Sequence, residues 1–397
     1  MPKTIERPHE RARAAKLRSA PALDFAEEPQ PGLTVIEPER LSRVKFAYTT
    51  GPVPFEAIAA VIPFEEAERR PRSGDLLLAT VEEIGQHTRL DLRSGRKARL
   101  FPGDEVVVCY ANRYSPDQFE AEIPSDFTPC DLVAAGGVAS RVISSHDRMA
   151  VATRLRPVGL LADAEGEVVN LGQWALPQPT VSAARVPTFA VLGTAMNAGK
   201  TTAAANLVRG LGAAGYRVGA VKVTGTGASN DLWHISDAGA ELVLDCTHAG
   251  LPSTYLSTAE EIEGVLELLT GHLAQLGVDA IVLEIADGVL QPETAALLKS
   301  PVFRANVNRI LFAAPDALGA SAGVEAVAAI GLTVSAVSGL LTTSPLAIRE
   351  TAAVTGLPVL DSDALRDPET LLAEGLIDAR KEEGVGSEAP PCVTGTG

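Results

Sequence analysis

The sequence has few of the residues that form metal clusters, disulfide frameworks or nucleic-acid surfaces. It contains 4 cysteines, 6 histidines and 3 methionines in 397 residues. The cysteines (Cys109, Cys130, Cys246 and Cys392) lie far apart, so neither a zinc ribbon nor a disulfide framework is expected. Positive charge is also scarce, since 34 Lys and Arg residues stand against 50 Asp and Glu, a formal net charge of −16. This balance argues against a nucleic-acid partner bound through a broad basic surface.

Long apolar runs are also missing. No stretch approaches the eighteen or so consecutive apolar residues that a membrane-spanning helix needs, and the N-terminus has no continuous apolar segment of a secretory signal. The basic segment at residues 11–18 is preceded by Glu6 and Glu10, which argues against a transit peptide. We therefore expect a cytoplasmic protein without a membrane partner.

One glycine-rich stretch is the most informative feature of the chain. Residues 193–202 read Gly-Thr-Ala-Met-Asn-Ala-Gly-Lys-Thr-Thr and directly follow the apolar run Phe189–Leu192. A strand, a glycine-rich turn and a helix together form a phosphate-binding loop, or P-loop. Five residues separate Gly193 from Gly199 where the usual Walker pattern has four. The residues predicted to bind a nucleotide are Gly193, Thr194, Asn197, Ala198, Gly199, Lys200, Thr201 and Thr202.

The pattern of predicted secondary structure differs before and after this loop. Before it, short strands between turns predict a small β barrel or sandwich. After it, strands and helices alternate, which predicts a doubly wound α/β domain with a mostly parallel sheet. The predicted units are a flexible charged arm (1–43), a β-rich domain (44–176), a linker (177–187), a P-loop nucleotide-binding domain (188–380) and a disordered tail (381–397).

The α/β half allows sharper predictions of its elements. Ser257 and Glu260 fit a capping box before a helix that Gly277 ends. The predicted strands are Phe189–Leu192, Arg217–Val223, Glu241–Asp245, Ala280–Glu284, Arg309–Ala313 and Thr333–Val337.

Polar residues at the ends of these strands are the candidates for chemistry, because ligands bind beyond the carboxyl ends of parallel strands. Lys222 could stabilise a transferring phosphoryl group, or be a surface lysine. Asp237, placed near the start of a helix, could ligate magnesium or only cap the helix. Glu284 ends an apolar strand and is the stronger candidate for a magnesium carboxylate beside the Thr201 hydroxyl. Asp287 could be functional or shape a turn.

These motifs, in this order, resemble those of dethiobiotin synthetase and the cobyrinic acid amide-forming ligases. The matching positions are Gly193-Thr194 with Gly199-Lys200-Thr201, Lys222 with Thr226, Ser236-Asp237-Ala238, and Glu284 with Gly288. The resemblance implies ATP and Mg²⁺, catalytic roles for Lys200, Lys222 and Thr226, and metal ligation by Thr201, Asp237 and Glu284. It implies a ligase-like phosphoryl transfer that activates a small-molecule carboxylate or carbamate. The family's E-G-A-G-G turn is Glu-Ile-Ala-Asp-Gly at residues 284–288, which leaves the substrate open.

A second resemblance supports an alternative. Residues 215–222 and 237–240 are similar to the accessory protein of molybdopterin-guanine dinucleotide synthesis, which implies GTP and a helper role with partner-dependent hydrolysis. Partner-activated ATPases of this superfamily often carry an early lysine in the loop, and Ala195 stands at that position. We also expect a homodimer or a higher homo-oligomer.

A third possibility places the function in the β-rich domain. Five basic residues cluster there, and their alternation favours a solvated strand face over an anion site. They are Arg89, Arg93, Arg96, Lys97 and Arg99.

Overall fold

Two sheets organise the part of the chain that the structure describes. The computed structural model describes residues 33–64, 69–180 and 186–378. A nine-stranded sheet and a separate two-stranded sheet lie in the N-terminal half, and a six-stranded sheet, parallel throughout, occupies the C-terminal half. The predicted fold class, a doubly wound P-loop sheet preceded by a smaller β-rich domain, is confirmed.

Five strands of the N-terminal half close into a barrel, because β4, β7, β10, β9 and β11 pair in a ring. Leu77 and Val108 face its interior, whereas Leu76, Leu78 and Val107 pack outward against β1–β3. The strands are β1 (Thr34–Val35), β2 (Lys45–Phe46), β3 (Ala60–Pro63), β4 (Leu76–Glu83), β5 (Arg89–Asp91), β6 (Lys97–Arg99), β7 (Glu105–Tyr110), β8 (Phe119–Glu122), β9 (Cys130–Ala134), β10 (Val138–Ser145) and β11 (Thr153–Ala162).

The predicted arm, linker and tail are only partly within the described residues. Residues 33–43 were assigned to a flexible arm, but they form β1 and the helix α1 (Pro38–Arg43). Ile36, between these elements, is buried against the outside of the barrel, which explains why this segment is ordered. Residues 1–32, the tail 381–397 and residues 181–185 of the linker lie outside the described residues.

The second sheet has the strand order β14-β13-β15-β12-β16-β17, with the strand before the glycine-rich loop near its centre. Its strands are β12 (Thr188–Gly193), β13 (Val218–Lys222), β14 (Leu242–Asp245), β15 (Ala280–Glu284), β16 (Arg309–Ala313) and β17 (Ala336–Ser338). Successive side chains of a strand point to opposite faces. Ala190 and Leu192 therefore join one hydrophobic core, and Phe189 and Val191 join the other.

Helices cover both faces of this sheet. They are α2 (Lys200–Ala213), α3 (Ser229–Asp237), α4 (Ala259–Gln275), α5 (Pro292–Lys299), α6 (Pro301–Asn306), α7 (Ala317–Ala329), α8 (Pro345–Thr355), α9 (Ser362–Arg366) and α10 (Pro368–Ala373). None of the helices within the described residues combines the length and the apolar character needed to cross a bilayer.

The capping box of α4 lies one residue later than predicted. The hydroxyl of Thr258 accepts from the Glu261 amide at 3.2 Å, and the Glu261 carboxylate accepts from the Thr258 amide at 2.8 Å. Ser257 and Glu260 also have this spacing, so the pattern alone allows both registers. The prediction of Ser257 as the cap is wrong.

Candidate functional site

The glycine-rich loop joins β12 to α2, as expected, and its shape depends on two left-handed residues. Asn197 has φ of 62° and Gly199 has φ of 94°. Glycine adopts this conformation without steric cost, and asparagine tolerates it better than most residues. The Nζ atom of Lys200 donates to the carbonyl of Ala195 at 2.7 Å, so the lysine side chain folds back onto its own loop.

The turns that follow β15 and β17 pack directly against the loop. The amide of Leu340 donates to the carbonyl of Ala198 at 3.0 Å, and a Cβ at Gly339 would overlap that same carbonyl. A Cβ at Gly288 would overlap the carbonyl of Thr194. Glycine at these two positions therefore lets the turns after β15 and β17 lie directly against the loop.

Glu284 and Thr201 form a pair at the carboxyl edge of the sheet. The Thr201 hydroxyl donates to Oε1 of Glu284 at 2.7 Å, and the glutamate is 3% exposed. Its other oxygen, Oε2, is buried and has no protein hydrogen-bond donor. Burial raises the pKa of Glu284 against the opposing effect of the Lys222 charge. A buried carboxylate oxygen without a donor beside a threonine hydroxyl fits the donor set that Mg²⁺ prefers.

Two lysines lie near this carboxylate. Parallel pairing places Lys222 of β13 opposite Glu284 of β15, and Lys222 forms an ion pair with Asp231 in the first turn of α3. Burial would lower the pKa of Lys222, but the carboxylates of Glu284 and Asp231 outweigh it and raise the pKa. Burial lowers the pKa of Lys200 despite its acidic neighbours. Positive charge is thus concentrated beside the loop.

Asp287 ends the turn that follows β15. It has φ of 62° and is buried. Burial raises its pKa to about 6, although Lys200 and Lys222 act in the opposite direction. A left-handed backbone and the burial of an acid both lower the stability of the folded chain. Such features are commonly found at binding sites.

These residues line a cavity of about 820 Å³ whose walls come from both halves of the chain. The halves touch directly at its rim. Asn197 of the loop donates to Asp117 of the barrel half at 2.8 Å, and Ser229 donates to Asp91 at 2.9 Å. The residues that the barrel half contributes to the wall include Gln86, His87, Thr88, Arg89, Asp91, Lys97, Arg113, Tyr114 and Gln118. The barrel half therefore covers the glycine-rich loop.

Most of the predicted site residues lie together. The cavity wall includes Asn197, Gly199, Lys200, Thr201, Thr202, Lys222, Thr226 and Glu284. Gly193, Thr194 and Ala198 belong to the loop but are not part of that wall. Thr194 is half-buried, and its hydroxyl oxygen is buried without a hydrogen-bond partner among the described residues.

Asp237 does not join them. It is the last residue of α3, its side chain is exposed and it is not part of the cavity wall. The prediction that it begins a helix is wrong, because α3 begins at Ser229 and ends just before Gly239, which has φ of 105°. A left-handed glycine is a helix stop. Had Gly239 been taken as that stop, Asp231 would have fallen in the first turn, where the structure places an acid beside Lys222.

Arg113 is the other residue that the sequence did not single out. It lies between β7 and β8 in the barrel half, and nothing in its local sequence predicts that it meets the loop. The basic cluster of the β-rich domain also divides in the structure. Arg89 and Lys97 line the cavity, whereas the guanidinium of Arg93 lies over the ring of Phe46 at 4.7 Å.

No protein-family model and no curated protein matches the sequence. Similar solved structures include the signal recognition particle receptor FtsY from Elizabethkingia anophelis in complex with GDP (14% identity, 47% of this chain and 61% of that chain, TM-score 0.34). FtsY from Mycoplasma mycoides matches at 14% identity over 47% of this chain and 62% of that chain, with a TM-score of 0.32.

A third similar structure is the signal recognition particle 54 kDa protein from Aeropyrum pernix K1 in complex with GDP (20% identity, 51% of this chain and 49% of that chain, TM-score 0.34). The chain thus spans less than two thirds of the length of each of these proteins. At these TM-scores, the likenesses assign neither a family nor an activity.

Proposed function

We propose that the chain binds a nucleoside triphosphate with Mg²⁺ in the cavity between its halves and transfers the terminal phosphoryl group to a small acceptor. The acceptor class that the sequence resemblance suggests is a carboxylate or carbamate, with ATP as the donor and GTP as the alternative. One observation carries the proposal. Lys200, Lys222, Thr201 and the unpaired oxygen of Glu284 converge at the carboxyl edge of the sheet, where a P-loop presents its phosphates.

The chain's own residues account for most of the work that phosphoryl transfer requires, which is positioning and charge stabilisation. Lys200 would leave the carbonyl of Ala195 and grip the outer phosphates. Lys222 would stabilise the charge that develops on the transferred group. Thr201 and Glu284 would hold Mg²⁺, which supplies further charge neutralisation when bound. Thr226 lines the same cavity and would contact the acceptor.

The cover contributed by the barrel half supports transfer to an acceptor over simple hydrolysis. Residues of the barrel half line the cavity together with the loop. Limiting the access of water protects a reactive phosphorylated product and strengthens electrostatic interactions inside the site. An attacking oxygen of the acceptor would bond to the terminal phosphorus as the bond to the bridging oxygen breaks, releasing the nucleoside diphosphate.

A second candidate is a nucleotide-dependent accessory or switch protein whose hydrolysis depends on a partner. The Lys222–Asp231 ion pair favours it, because it engages the lysine that would otherwise meet the terminal phosphate. In this candidate, a partner would release the lysine and start hydrolysis. Turnover that rises steeply with protein concentration, or only after a partner is added, would distinguish it from the enzyme.

Nucleotide binding by the Lys200→Ala variant tests the shared basis of both candidates. Wild type should bind a fluorescent ATP or GTP analogue in the presence of Mg²⁺, and Lys200→Ala should bind it about 100-fold more weakly, because charged hydrogen bonds to phosphate are lost. Lys299→Ala, at an exposed lysine that ends α5, is the matched control. The proposal fails if wild type binds neither nucleotide, or if both variants bind equally well.

A further inference from the structure

Arg113 is a buried arginine whose charge the protein leaves largely unmatched. It is 8% exposed and lines the cavity. Its Nη2 donates to the amide oxygen of Gln118 at 3.0 Å, while its Nε is buried and has no hydrogen-bond acceptor among the described residues. Burial lowers the pKa of Arg113 to about 10, with only partial compensation from Asp117 and Asp287. Within the described residues it forms no ion pair.

A buried guanidinium without an acidic partner lowers the stability of the folded chain unless an anion binds to it. Removing a charged group from water raises its free energy, and an acidic partner normally offsets this cost. A guanidinium presents its donors as a planar fork that matches a carboxylate in two parallel hydrogen bonds. The structure supplies a neutral amide on one side of this fork and leaves Nε unpaired.

The surroundings hold Arg113 at the edge of the glycine-rich loop. Ser115 donates to the sulfur of Met196 at 3.5 Å, and Asp117 accepts from Asn197 at 2.8 Å. The segment that follows Arg113 is thus fastened to the tip of the loop. Arg113 and Asp287 both line the cavity, and Asp287 contributes to the electrostatic environment of Arg113.

His87, which lines the cavity wall with Arg113, does not add a second positive charge. Burial and the neighbouring Arg113 lower the pKa of His87 to about 4, so the ring is neutral at pH 7. Its Nδ1 donates to the carbonyl of Leu132 at 3.0 Å. Arg113 is therefore the buried cation that the barrel half contributes to the cavity wall, whereas Lys200 and Lys222 come from the P-loop half.

We propose that Arg113 binds the carboxylate group of the acceptor and so forms a second subsite, contributed by the barrel half, beside the phosphate-binding loop. This inference rests on the proposed function and names the substrate class of the same cavity. A carboxylate is favoured over the nucleotide's own phosphate because the loop and two lysines already serve the phosphates. The cavity wall also includes Gln86 and Arg89 of the barrel half.

Binding of simple carboxylates to the full chain tests the subsite without knowledge of the natural acceptor. Acetate, succinate and citrate are titrated at constant ionic strength by calorimetry and thermal shift, with acetamide and succinamide as neutral counterparts and inorganic phosphate as a separate arm. The variants are Arg113→Met, Arg113→Lys and Arg99→Met. Arg99 is an exposed arginine of β6 outside the cavity wall and controls for the loss of one charge.

We expect at least one carboxylate, and neither amide, to bind wild type and Arg99→Met. The affinity should fall at least tenfold in Arg113→Met and by a smaller factor in Arg113→Lys, which keeps the charge but not the fork. The Kd for the magnesium nucleotide should change less than twofold. A folded Arg113→Met that binds all three carboxylates as wild type does, or a wild type that binds none, overturns the proposal.

Two further outcomes assign the site differently. If Arg113→Met loses affinity for phosphate and nucleotide but not for carboxylates, Arg113 serves the nucleotide and the carboxylate subsite is overturned. If wild type binds carboxylates through Arg113 but binds no nucleotide, the carboxylate site stands and the proposed phosphoryl transfer fails. Circular dichroism and the melting temperature of each variant confirm that these comparisons are made between folded proteins.

Discussion

At the scale of single residues, the unpaired oxygen of Glu284 is the most telling atom of the site. Oε1 accepts from Thr201, whereas Oε2 is buried and accepts from no donor within the part of the chain that the structure describes. Proteins seldom bury such an oxygen without a partner. We infer that the partner is a ligand, and this gives a direct expectation for the metal.

Replacing Glu284 with Gln should weaken the binding of Mg²⁺ at the nucleotide site. The charge that would hold the cation is lost while the shape is kept, so the Mg²⁺ concentration for half-maximal nucleotide binding should rise about 10- to 100-fold. Nucleotide binding titrated against Mg²⁺ measures this. Glu267→Gln, at an exposed glutamate of α4, should leave the titration unchanged. An unchanged midpoint in Glu284→Gln would remove Glu284 from the metal site.

Asp287 should make the nucleotide-free protein less stable as the pH rises. Its pKa is 3.8 in the unfolded reference and about 6 in the folded chain, so between these values the folded state holds more protons than the unfolded state. The free energy of unfolding therefore falls as the pH rises through this window, by up to about 3 kcal/mol. Asp287→Asn, which tolerates the left-handed backbone, should lack this component.

Urea unfolding of wild type and Asp287→Asn across this pH range checks the sign. The difference in stability between the variant and wild type should grow in favour of the variant up to about pH 6 and then level off. A constant difference over the whole range would show that Asp287 titrates normally.

The sequence predicted the residues whose role follows from a local motif and missed those that depend on distant contacts. Lys200, Thr201 and Glu284 are fixed by the loop spacing and by an acid after an apolar strand. The sequence placed Asp237 near a helix start, whereas it is the last residue of α3, and it did not single out Asp231. Arg113 could not be predicted, since its importance arises only when the barrel half covers the loop.

At the scale of secondary-structure elements, α2 offers a comparison between two glycines of one helix. A Cβ at Gly212 would meet nothing within 4 Å, whereas a Cβ at Gly210 would overlap the carbonyl of Leu365 at α9. The same substitution should therefore have opposite effects two residues apart.

Gly212→Ala should raise the free energy of unfolding by about 0.5–1 kcal/mol, because alanine has the higher helix propensity and the site is open. Gly210→Ala should lower it by about 1–3 kcal/mol through overpacking. Urea or thermal unfolding monitored by circular dichroism measures both. If both variants were stabilised, α9 would not lie against α2 as the structure shows.

Elements of the parallel sheet were predictable because strands buried on both faces are continuous apolar runs. Ala280–Glu284 and Arg309–Ala313 were predicted with their observed bounds. The last strand was placed too early, at Thr333–Val337, whereas it spans Ala336–Ser338. The capping boxes at Ser257 and Thr258 could not be told apart, because the motif is short enough to fit twice.

At the scale of the whole molecule, the two halves approach each other through glycine. A Cβ at Gly136 of the barrel half would overlap the carbonyl of Gly227 in the turn that follows β13. Lys222 is the last residue of β13, and Thr226 directly precedes Gly227 in this turn. The position of the barrel is thus linked to the shape of the site.

Gly136→Ala should move the barrel half away from the P-loop half and weaken nucleotide and carboxylate binding together. Limited proteolysis and both binding assays measure the change. Gly103→Ala, a left-handed glycine with open space around it, controls for destabilisation of the barrel alone. Equal effects of the two substitutions on binding would contradict a role for this contact.

The division into a β-rich half and a parallel α/β half was predictable from the change in sequence rhythm. The cavity between the halves was not, because composition and periodicity carry no information on how two such units are docked. Its wall combines residues as distant in the chain as Gln86 and Leu340.

The hydrogen bond between Lys200 and the carbonyl of Ala195 has a consequence for the strength of phosphate binding. A phosphate that takes the ammonium group of Lys200 must replace this internal bond. The net gain in free energy is therefore smaller than the new contact alone would give, because one hydrogen bond is exchanged for another.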